Sequence, residues 1–553
     1  MPAPRGPILC VLLVATAMPA AAQFGPPAPP CPTGTAQTWL RGGNVEAALF
    51  TNGNLFYSGS LAAAYLVPSN GTRSTSALYA SSLWLGGLVG GEVRTAAARY
   101  NGFTFRPGRT GPDGVPPDST ACAGADRMWT LAQMWDDTDP AAIADILEWP
   151  AHLGAPVVDG DGDPSNYDLA AGDRPALRGD RTAFWAMTDV AAARGPDGGL
   201  PLGVDVTVEA SSFLRGTLGA TTFYHYTITN RNPVPIEDAY VGFWSDPDLG
   251  GGADDYAGTD TTAHMAFVYN SDDDDVAYGV PPALGVVVAG GAAADANGRD
   301  DDRDGEVDEP GEEIGLTSAA ILLKSATGAY GEPVEPSGYY NRLRGLLSDG
   351  SPFYEYGFGG DREGGGADRT VFAYPGDAVT GAFWSNENAD GSGARSSAGL
   401  DVRMFASAGP FRLMPGASTE VTFAVVFAQG EDRLDSVTRL RGVARVARRA
   451  VEGGALDPTA LRRVPDSTPP EVPVSFRRPH PNPFTDVASV IVRGADATIT
   501  VYDMLGRRVA GPEAVGPSGT STVEVGRGLA PGVYLVRVAG FAFEEAFTVT
   551  KAR

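Results

Sequence analysis

Residues 203–214, GVDVTVEASSFL, and 221–232, TTFYHYTITNRN, decide the fold class. In the first, Val204, Val206 and Val208 alternate with Asp205, Thr207 and Glu209; in the second, Tyr224, Tyr226 and Ile228 alternate with His225, Thr227 and Thr229. A period of two puts successive side chains on opposite faces, so each stretch predicts a β-strand with one face toward a core. Working outward, AYVGFW (239–244), MAFVYN (265–270), ILLKS (321–325) and VTFAVVFAQ (421–429) continue the pattern downstream, interrupted by an acidic loop at 292–313. Upstream, LFYSG (55–59), AAAYLVP (62–68) and SSLWLGGLVGG (81–91) begin it, with loops at 106–120 and 151–181. The chain is therefore expected to be mainly β. Residues 36–430 read as one large β-sandwich-like body, or as two lobes dividing near residue 150.

Two helices break the pattern. Asp139–Trp149 predicts a short one with Ile143, Ile146 and Leu147 on one face. Residues 431–463 predict a longer helical segment, clearest over Glu431–Val451, where Leu434, Val437, Leu440, Ala444, Ala447 and Val451 recur every three or four residues. Arg439, Arg441, Arg445, Arg448 and Arg449 fall mostly off that stripe and are expected to be solvated. A linker, VPDSTPPEVP (464–473), separates this helix from a last all-β module, 474–553. Its strands are ASVIVRG (488–494), ATITVYDM (497–504), RRVAG (507–511), STVEVG (521–526), GVYLVRVA (532–539) and EAFTVTK (545–551). Six or seven short strands with frequent turns predict an Ig-like β-sandwich.

The 553 residues exceed one ordinary core, so roughly two to four domains are expected. Gly 72 and Pro 44 suit many strands and turns. A formal net charge of −26 repels phosphates and argues against a nucleic-acid partner, while it fits divalent cations or simple solubility. Residues 1–22 read as a signal peptide: Arg5 supplies the charged region, Ile8–Ala17 the apolar run, and Ala20–Ala22 the cleavage site before Gln23. No later run approaches the roughly twenty apolar residues of a membrane helix. Residues 23–35 are a Pro-rich linker. Cys10 falls in the signal. Cys31 and Cys122 remain, an even pair suited to a disulfide in an oxidising compartment.

The last module resembles the type A C-terminal sorting domain of the Bacteroidetes-type type IX secretion system. The resemblance rests on His480-Pro481-Asn482-Pro483-Phe484, on Val501-Tyr502-Asp503-Met504-Leu505-Gly506-Arg507, on Gly528-Leu529-Ala530-Pro531-Gly532-Val533-Tyr534, and on a terminal strand with Lys551. It implies export through the outer-membrane secretion machinery, followed by removal of the domain and release or surface attachment. The residues have plainer readings beside it. Pro-Asn-Pro fixes an extended approach, Leu-Gly-Arg suits a hairpin turn, and Pro531-Gly532 a turn feeding a buried strand. The body also resembles an uncharacterised family of secreted proteins that carry such a tail, through Leu83-Trp84-Leu85-Gly86-Gly87, Pro201-Leu202-Gly203, Phe223-Tyr224-His225-Tyr226 and Trp244-Ser245-Asp246-Pro247-Asp248-Leu249-Gly250. That resemblance implies secretion and carries over no catalytic residue.

Calcium is the cofactor the acidic spacing suggests. Asp300-x-Asp302-x-Asp304-Gly305-x-x-Asp308-Glu309 alternates carboxylates around a Gly turn, although Gly311 stands where an EF-hand needs its last ligand. Asp159, Asp161 and Asp163, with Asn166 and Asp168 beyond, form a second such loop. Asp246, Asp248, Asp254, Asp255 and Asp260 cluster in one more, and Asp272–Asp275 is a like-charge run of the kind that is usually solvated. A bare acidic surface loop is the alternative for each.

Enzyme signatures are sparse. Neither lysine, Lys324 or Lys551, follows a glycine, so there is no Walker A loop; C-x-x-C, H-E-x-x-H and G-x-S-x-G are also missing. His152, His225, His264 and His480 show no spaced partner. A Ser–His–Asp triad assembled through space leaves no sequence signature. With 67 acidic residues, carboxylate pairs arise by chance. Trp244, Tyr256 and Trp384 would stack on sugars if exposed, but core is the commoner fate of such residues. The reading that results is a secreted or cell-surface β-rich structural or binding protein, calcium-stabilised, with an extracellular glycan or protein as ligand. The alternative is a secreted glycosidase or peptidase working through carboxylates.

Overall fold

The computed structural model describes residues 31–552 apart from 59–62, 70–73, 101, 112–114, 133–139, 191–198, 294–311, 324–327, 357–367, 389–400, 454–455, 457–474, 481, 494–496, 504–506, 516–519 and 541–542. The chain is mainly β. Two large sheets form the body, and every pairing within them is antiparallel. The first has eleven strands, running from Ser318–Leu323 through Val402–Leu413, Ile236–Asp246 and Ala80–Val89 to Ser74–Leu78. The second has nine, running from Trp129–Ala132 through Arg181–Thr188, Val204–Ser212, Thr222–Asn230, Ser418–Gln429, Pro282–Gly290 and Met265–Asn270 to Asp255–Asp260. Strands from both sides of residue 150 lie side by side: Ala80–Val89 pairs with Ile236–Asp246, and Trp129–Ala132 with Arg181–Thr188.

The sheets face each other across one apolar core. Val204, Val206, Val208, Tyr224 and Tyr226 of the second sheet meet Leu83, Leu85, Val241 and Phe243 of the first. Phe243 sits between two rings of the opposite sheet, 5.6 Å from Tyr224 and 5.4 Å from Phe423. Each such side chain contributes roughly 1.5–3 kcal/mol on burial. The period-two reading of 203–214 and 221–232 therefore names the inward set correctly.

It does not foresee that the outward set is also covered. All nine residues of Val204–Ser212 are buried, including Asp205 and Glu209. Helices cover both outer faces. Four α-helices occur among the described residues: α1 (Ser119–Ala125), α2 (Pro140–Leu147), α3 (Pro336–Leu343) and α4 (Arg433–Glu452). α3 lies on the first sheet, where Tyr339 and Leu343 join Trp84, Trp244 and Phe405. It approaches so closely that a Cβ at Gly242 would stand 2.5 Å from Leu343, and one at Gly86 2.9 Å from the Tyr340 ring. The glycine of the LWLGG stretch is thus a contact surface for a helix. α4 lies on the second sheet. Val437, Leu440, Ala444 and Ala447 pack on Phe267, Tyr269, Val287 and Val426.

α4 starts at an N-cap: the Asp432 carboxylate accepts from the Leu434 and Asp435 amides at 2.9 and 2.8 Å. The predicted stripe is right, but the arginines differ from expectation. Arg441 is pinned by Asp260 at 3.0 Å and Asp377 at 2.8 Å, with only 19% of its side chain exposed. α2 also needs correction. Leu147 is 62% exposed, while Asp145 points inward to Arg127 and the Thr130 amide. Asp145 is the buried residue, held by Arg127 and by the Thr130 amide of the neighbouring strand.

The C-terminal module has seven strands in two sheets. Ser475–His480, Ala488–Arg493 and Thr520–Val525 form one; Arg508–Val515, Ala497–Asp503, Gly532–Gly540 and Phe543–Lys551 form the other. Its core is its own: Phe484, Val490, Ile499, Val501, Val525, Val536, Val538 and Val549 belong to it. No described helix is long and apolar enough to cross a membrane.

Candidate functional site

Five places hold chemistry-bearing residues, some singled out by the sequence and some not. The first is the disulfide Cys31–Cys122, with Cα atoms 5.8 Å apart, which ties the start of the described chain to α1. Arg106 donates to the Cys31 carbonyl at 3.1 Å.

The second is the loop at 159–173. Its aspartates fold back on nearby amides, as Asx-turns do. Asp159 accepts from the Gly162 amide at 2.6 Å, Asp161 from Asp163 at 2.8 Å, and Asp163 from the Ser165 amide at 3.0 Å. The carboxylates that converge are Asp159, Asp161 and Asp173, each offering an oxygen within 4.8 Å of the others; Asp163 is not in that trio. Asp173 is buried and accepts from the Gly160 and Asp168 amides at 2.9 and 2.6 Å. Nothing in the local spacing points to Asp173, since it arrives by closure of a loop. Asp300, Asp302, Asp304, Asp308 and Glu309 lie outside the described residues.

The third lies beyond the end of the strand Ile236–Asp246. Asp246 and Asp248 converge with Asp401, again within 4.8 Å. The other aspartates of this stretch go elsewhere. Asp255 is buried, accepts from the Leu249 amide at 3.1 Å, and is pushed well above the usual carboxylate range by burial. Asp260 pairs with Arg441. Burial raises Asp246 to about 6, with Arg403 pulling it down. The Asp272–Asp275 run is only partly solvated. Asp273 pairs with Arg433 at 2.9 Å, and Asp275 is buried, accepting from the Gly251, Ala277 and Tyr278 amides.

The fourth is a cleft on the outer face of the second sheet, beside the end of α4. One part has a volume of about 250 Å³ and adjoins another of about 300 Å³ through Gly290, Gly291, Glu313 and Val451. Neighbouring strands aim Glu209, His225 and Thr422 the same way, because Glu209 pairs with His225 and His225 with Thr422 in register. Glu209 is held by the Arg178 backbone amide at 3.1 Å and by its Nε at 2.9 Å. His225 Nδ1 meets the Thr422 hydroxyl at 2.7 Å, and Nε2 stands 3.3 Å from Glu420. Two of the carboxyl groups lining the cleft, Glu420 and Glu313, are driven apart. The His225 hydrogen bond lowers Glu420, and burial raises Glu313. Such a pair can separate acid and base roles. Trp244, Tyr256 and Trp384 are all buried core residues and offer no stacking face.

The fifth is the C-terminal module's motif set. Asn482 clamps the terminal strand from both sides: its side-chain amide donates to the Thr548 carbonyl at 3.0 Å, and its oxygen accepts from the Thr550 amide at 2.8 Å. Phe484 follows into the core, 2% exposed, with backbone bonds to Thr550 and Ala552. Gly526 makes room for it, since a Cβ there would stand 2.2 Å from the Phe484 ring. Lys551 Nζ donates to the Gly526 carbonyl at 2.9 Å. Pro483 is exposed next to this clamp. Arg507 pairs with Asp503, its Nε 2.8 Å from a carboxylate oxygen. Tyr502 is half-buried on the strand before it. Pro531 and Gly532 lead into a strand on which Tyr534, Val536 and Val538 point inward, and the Tyr534 hydroxyl donates to Ala530 at 2.7 Å. Pro481, Leu505 and Gly506 lie outside the described residues.

Comparison with known proteins adds one strong result and little else. Residues 479–544 match the secretion system C-terminal sorting domain. No curated protein matches the chain. Among solved structures, a chain described as a polysaccharide lyase is 10% identical over 94% of this chain and 47% of that one, with a TM-score of 0.23. This chain thus spans about half the length of that structure, and the likeness is too low to bear on the body's activity. The C-terminal module is a type IX sorting domain, and the protein is delivered to the cell surface or the extracellular space.

Proposed function

We propose that this exported chain is a β-rich structural or binding protein of the cell exterior, stabilised by calcium. The observation that carries this reading is the convergence of Asp159, Asp161 and Asp173 in one loop between the short paired strands Val157–Val158 and Arg174–Pro175. Oxygen-only ligands on a turn-rich loop suit calcium, which accepts six to eight oxygens in flexible geometry. The ligand it would present to is an extracellular glycan or protein, and its handling partner is the outer-membrane secretion machinery. Calorimetry on chelated protein tests the calcium reading. Calcium should give binding heat and raise the melting temperature, and Asp161→Asn should weaken both. No heat, together with an EDTA-insensitive melt, sinks it.

A second reading, a secreted hydrolase, is favoured by one observation: Glu313 and Glu420 line the same cleft with opposite shifts, and His225 stands 3.3 Å from Glu420. Glu313 would serve as the acid and Glu420 as the base. Turnover of a polysaccharide or casein that disappears in Glu313→Gln supports it; the absence of turnover across a broad glycan and protein panel retires it.

A further inference from the structure

We propose that Asp246, Asp248 and Asp401 form a second, partly buried divalent-cation site of the calcium class, joining two neighbouring strands of the first sheet. It goes beyond the loop at 159–173 and does not depend on it. Asp246 ends one strand, Asp248 lies two residues on, and Asp401 directly precedes Val402–Leu413, which pairs with the strand of Asp246. Two chain segments thus deliver three carboxylate oxygens to one point, all within 4.8 Å of each other. Oxygens ~2.4 Å from a shared calcium ion stand no more than about 4.8 Å apart, so the spacing fits one coordination sphere.

Acidic convergence alone would mean little. The independent observation is Asp246 itself. Only 2% of the residue is exposed, and its Oδ1 is buried without a hydrogen-bond partner. Its Oδ2 is committed, accepting from the Tyr100 hydroxyl at 2.5 Å and facing Arg403 at 3.4 Å. Oδ1 is therefore the atom Asp246 has left to give, in a place where water does not reach it. A buried carboxylate oxygen with no donor is costly, and a cation removes that cost.

The surrounding charges leave room for such an ion. Arg403 bridges Asp246, Asp401 and Glu332, at 3.4, 2.8 and 3.4 Å. Arg99 also pairs with Glu332. Among these named groups, the four carboxylates Asp246, Asp248, Asp401 and Glu332 face two guanidinium groups. The difference is two negative charges, that of one divalent cation. All protein ligands are oxygens, which favours calcium over zinc or copper.

Terbium luminescence on the full secreted chain tests the site, because Tyr100 touches Asp246 and Trp244 lies 5.1 Å from Tyr100. Terbium should show saturable, aromatic-sensitised emission that calcium displaces. Asp248→Asn, a partly exposed position, should weaken this binding by about tenfold or more while leaving the circular dichroism unchanged. The double variant Asp159→Asn/Asp161→Asn should keep it. Equal terbium affinity in Asp248→Asn and the parent overturns the proposal, as does complete loss of sensitised emission in the Asp159/Asp161 variant. In the latter case the calcium loop at 159–173 still stands. If instead only that loop's signal is missing from the parent, the present site stands without it.

Discussion

The body and the C-terminal module are both pairs of antiparallel sheets, yet they solve the problem of the outer face in opposite ways. In the module, Tyr534, Val536 and Val538 turn inward while Val533 and Leu535 remain 39% exposed, so the strand Gly532–Gly540 has one dry side and one wet side. In the body, α3 and α4 roof parts of the two sheets, and loops bury the polar alternates of Val204–Ser212 as well. The module therefore needs a simple core and a clamp at its ends. The body needs amide or charge partners for carboxylates such as Asp205 and Glu209 that it hides. Asp205 has Arg231 at 2.6 Å and the Thr110 amide; Glu209 has Arg178. The same period-two sequence pattern thus corresponds to two different energetic designs.

The largest test of that contrast is in the body. Glu209→Ala removes one half of a buried ion pair and leaves Arg178, 19% exposed, with its bond to the Leu456 carbonyl but without its nearest carboxylate. The expected loss is about 3–5 kcal/mol of body stability. The matching test in the module is Phe484→Ala, which deletes the ring that seals the core under Gly526 and should cost ~3–5 kcal/mol. Because the two cores share no residue, each substitution should lower one calorimetric transition and leave the other in place. If either variant moves both transitions together, the two sandwiches are one cooperative unit and the contrast fails.

How legible these designs are in the sequence follows from the same difference. In the module, motif residues sit at joints: Asn482 and Phe484 on the terminal strand, Arg507 on its turn, Tyr534 at the start of a strand. Their local spacing and their structural role coincide, so the sequence reading survives almost intact. In the body, the inward residues were readable and the outward ones were not. Nothing in GVDVTVEA tells Glu209 that Arg178 awaits it thirty-one positions away. The candidate cation sites show the same limit. Asp159 and Asp161 were visible by alternation, but their third member, Asp173, and Asp401 beside Asp246 arrive from distant chain segments. Asp275 looked like part of a solvated run and is instead a buried turn anchor, because three amides converge on it.

A smaller effect tests whether the roof over the second sheet is set by its own start signal or by packing alone. Asp432→Ala removes the cap that satisfies the Leu434 and Asp435 amides and should cost about 1 kcal/mol. The change should appear in the body's transition only, with faster amide exchange confined to the first turn of α4. A loss several times larger would mean that Asp432 holds more than the helix end.

The smallest expected effect is the most informative for export. Arg507 belongs to the motif that identifies the module, and its guanidinium reaches Asp503 at 2.7 Å, but 74% of its side chain is exposed. Exposed pairs of this kind contribute about 0–1 kcal/mol and weaken with salt. The turn keeps its backbone bond from the Asp503 amide to the Arg507 carbonyl when the side chain is cut. Arg507→Ala should therefore leave the module's melting transition nearly unmoved. Stability accounts for Phe484 and Asn482 in the motif set, and it does not account for Arg507. With 74% of its side chain exposed, Arg507 leaves room for a role other than stability. Delivery of Arg507→Ala to the medium, measured against its unchanged melt, separates the two roles: a drop in delivery assigns the arginine to recognition, and wild-type delivery leaves it a turn residue like any other.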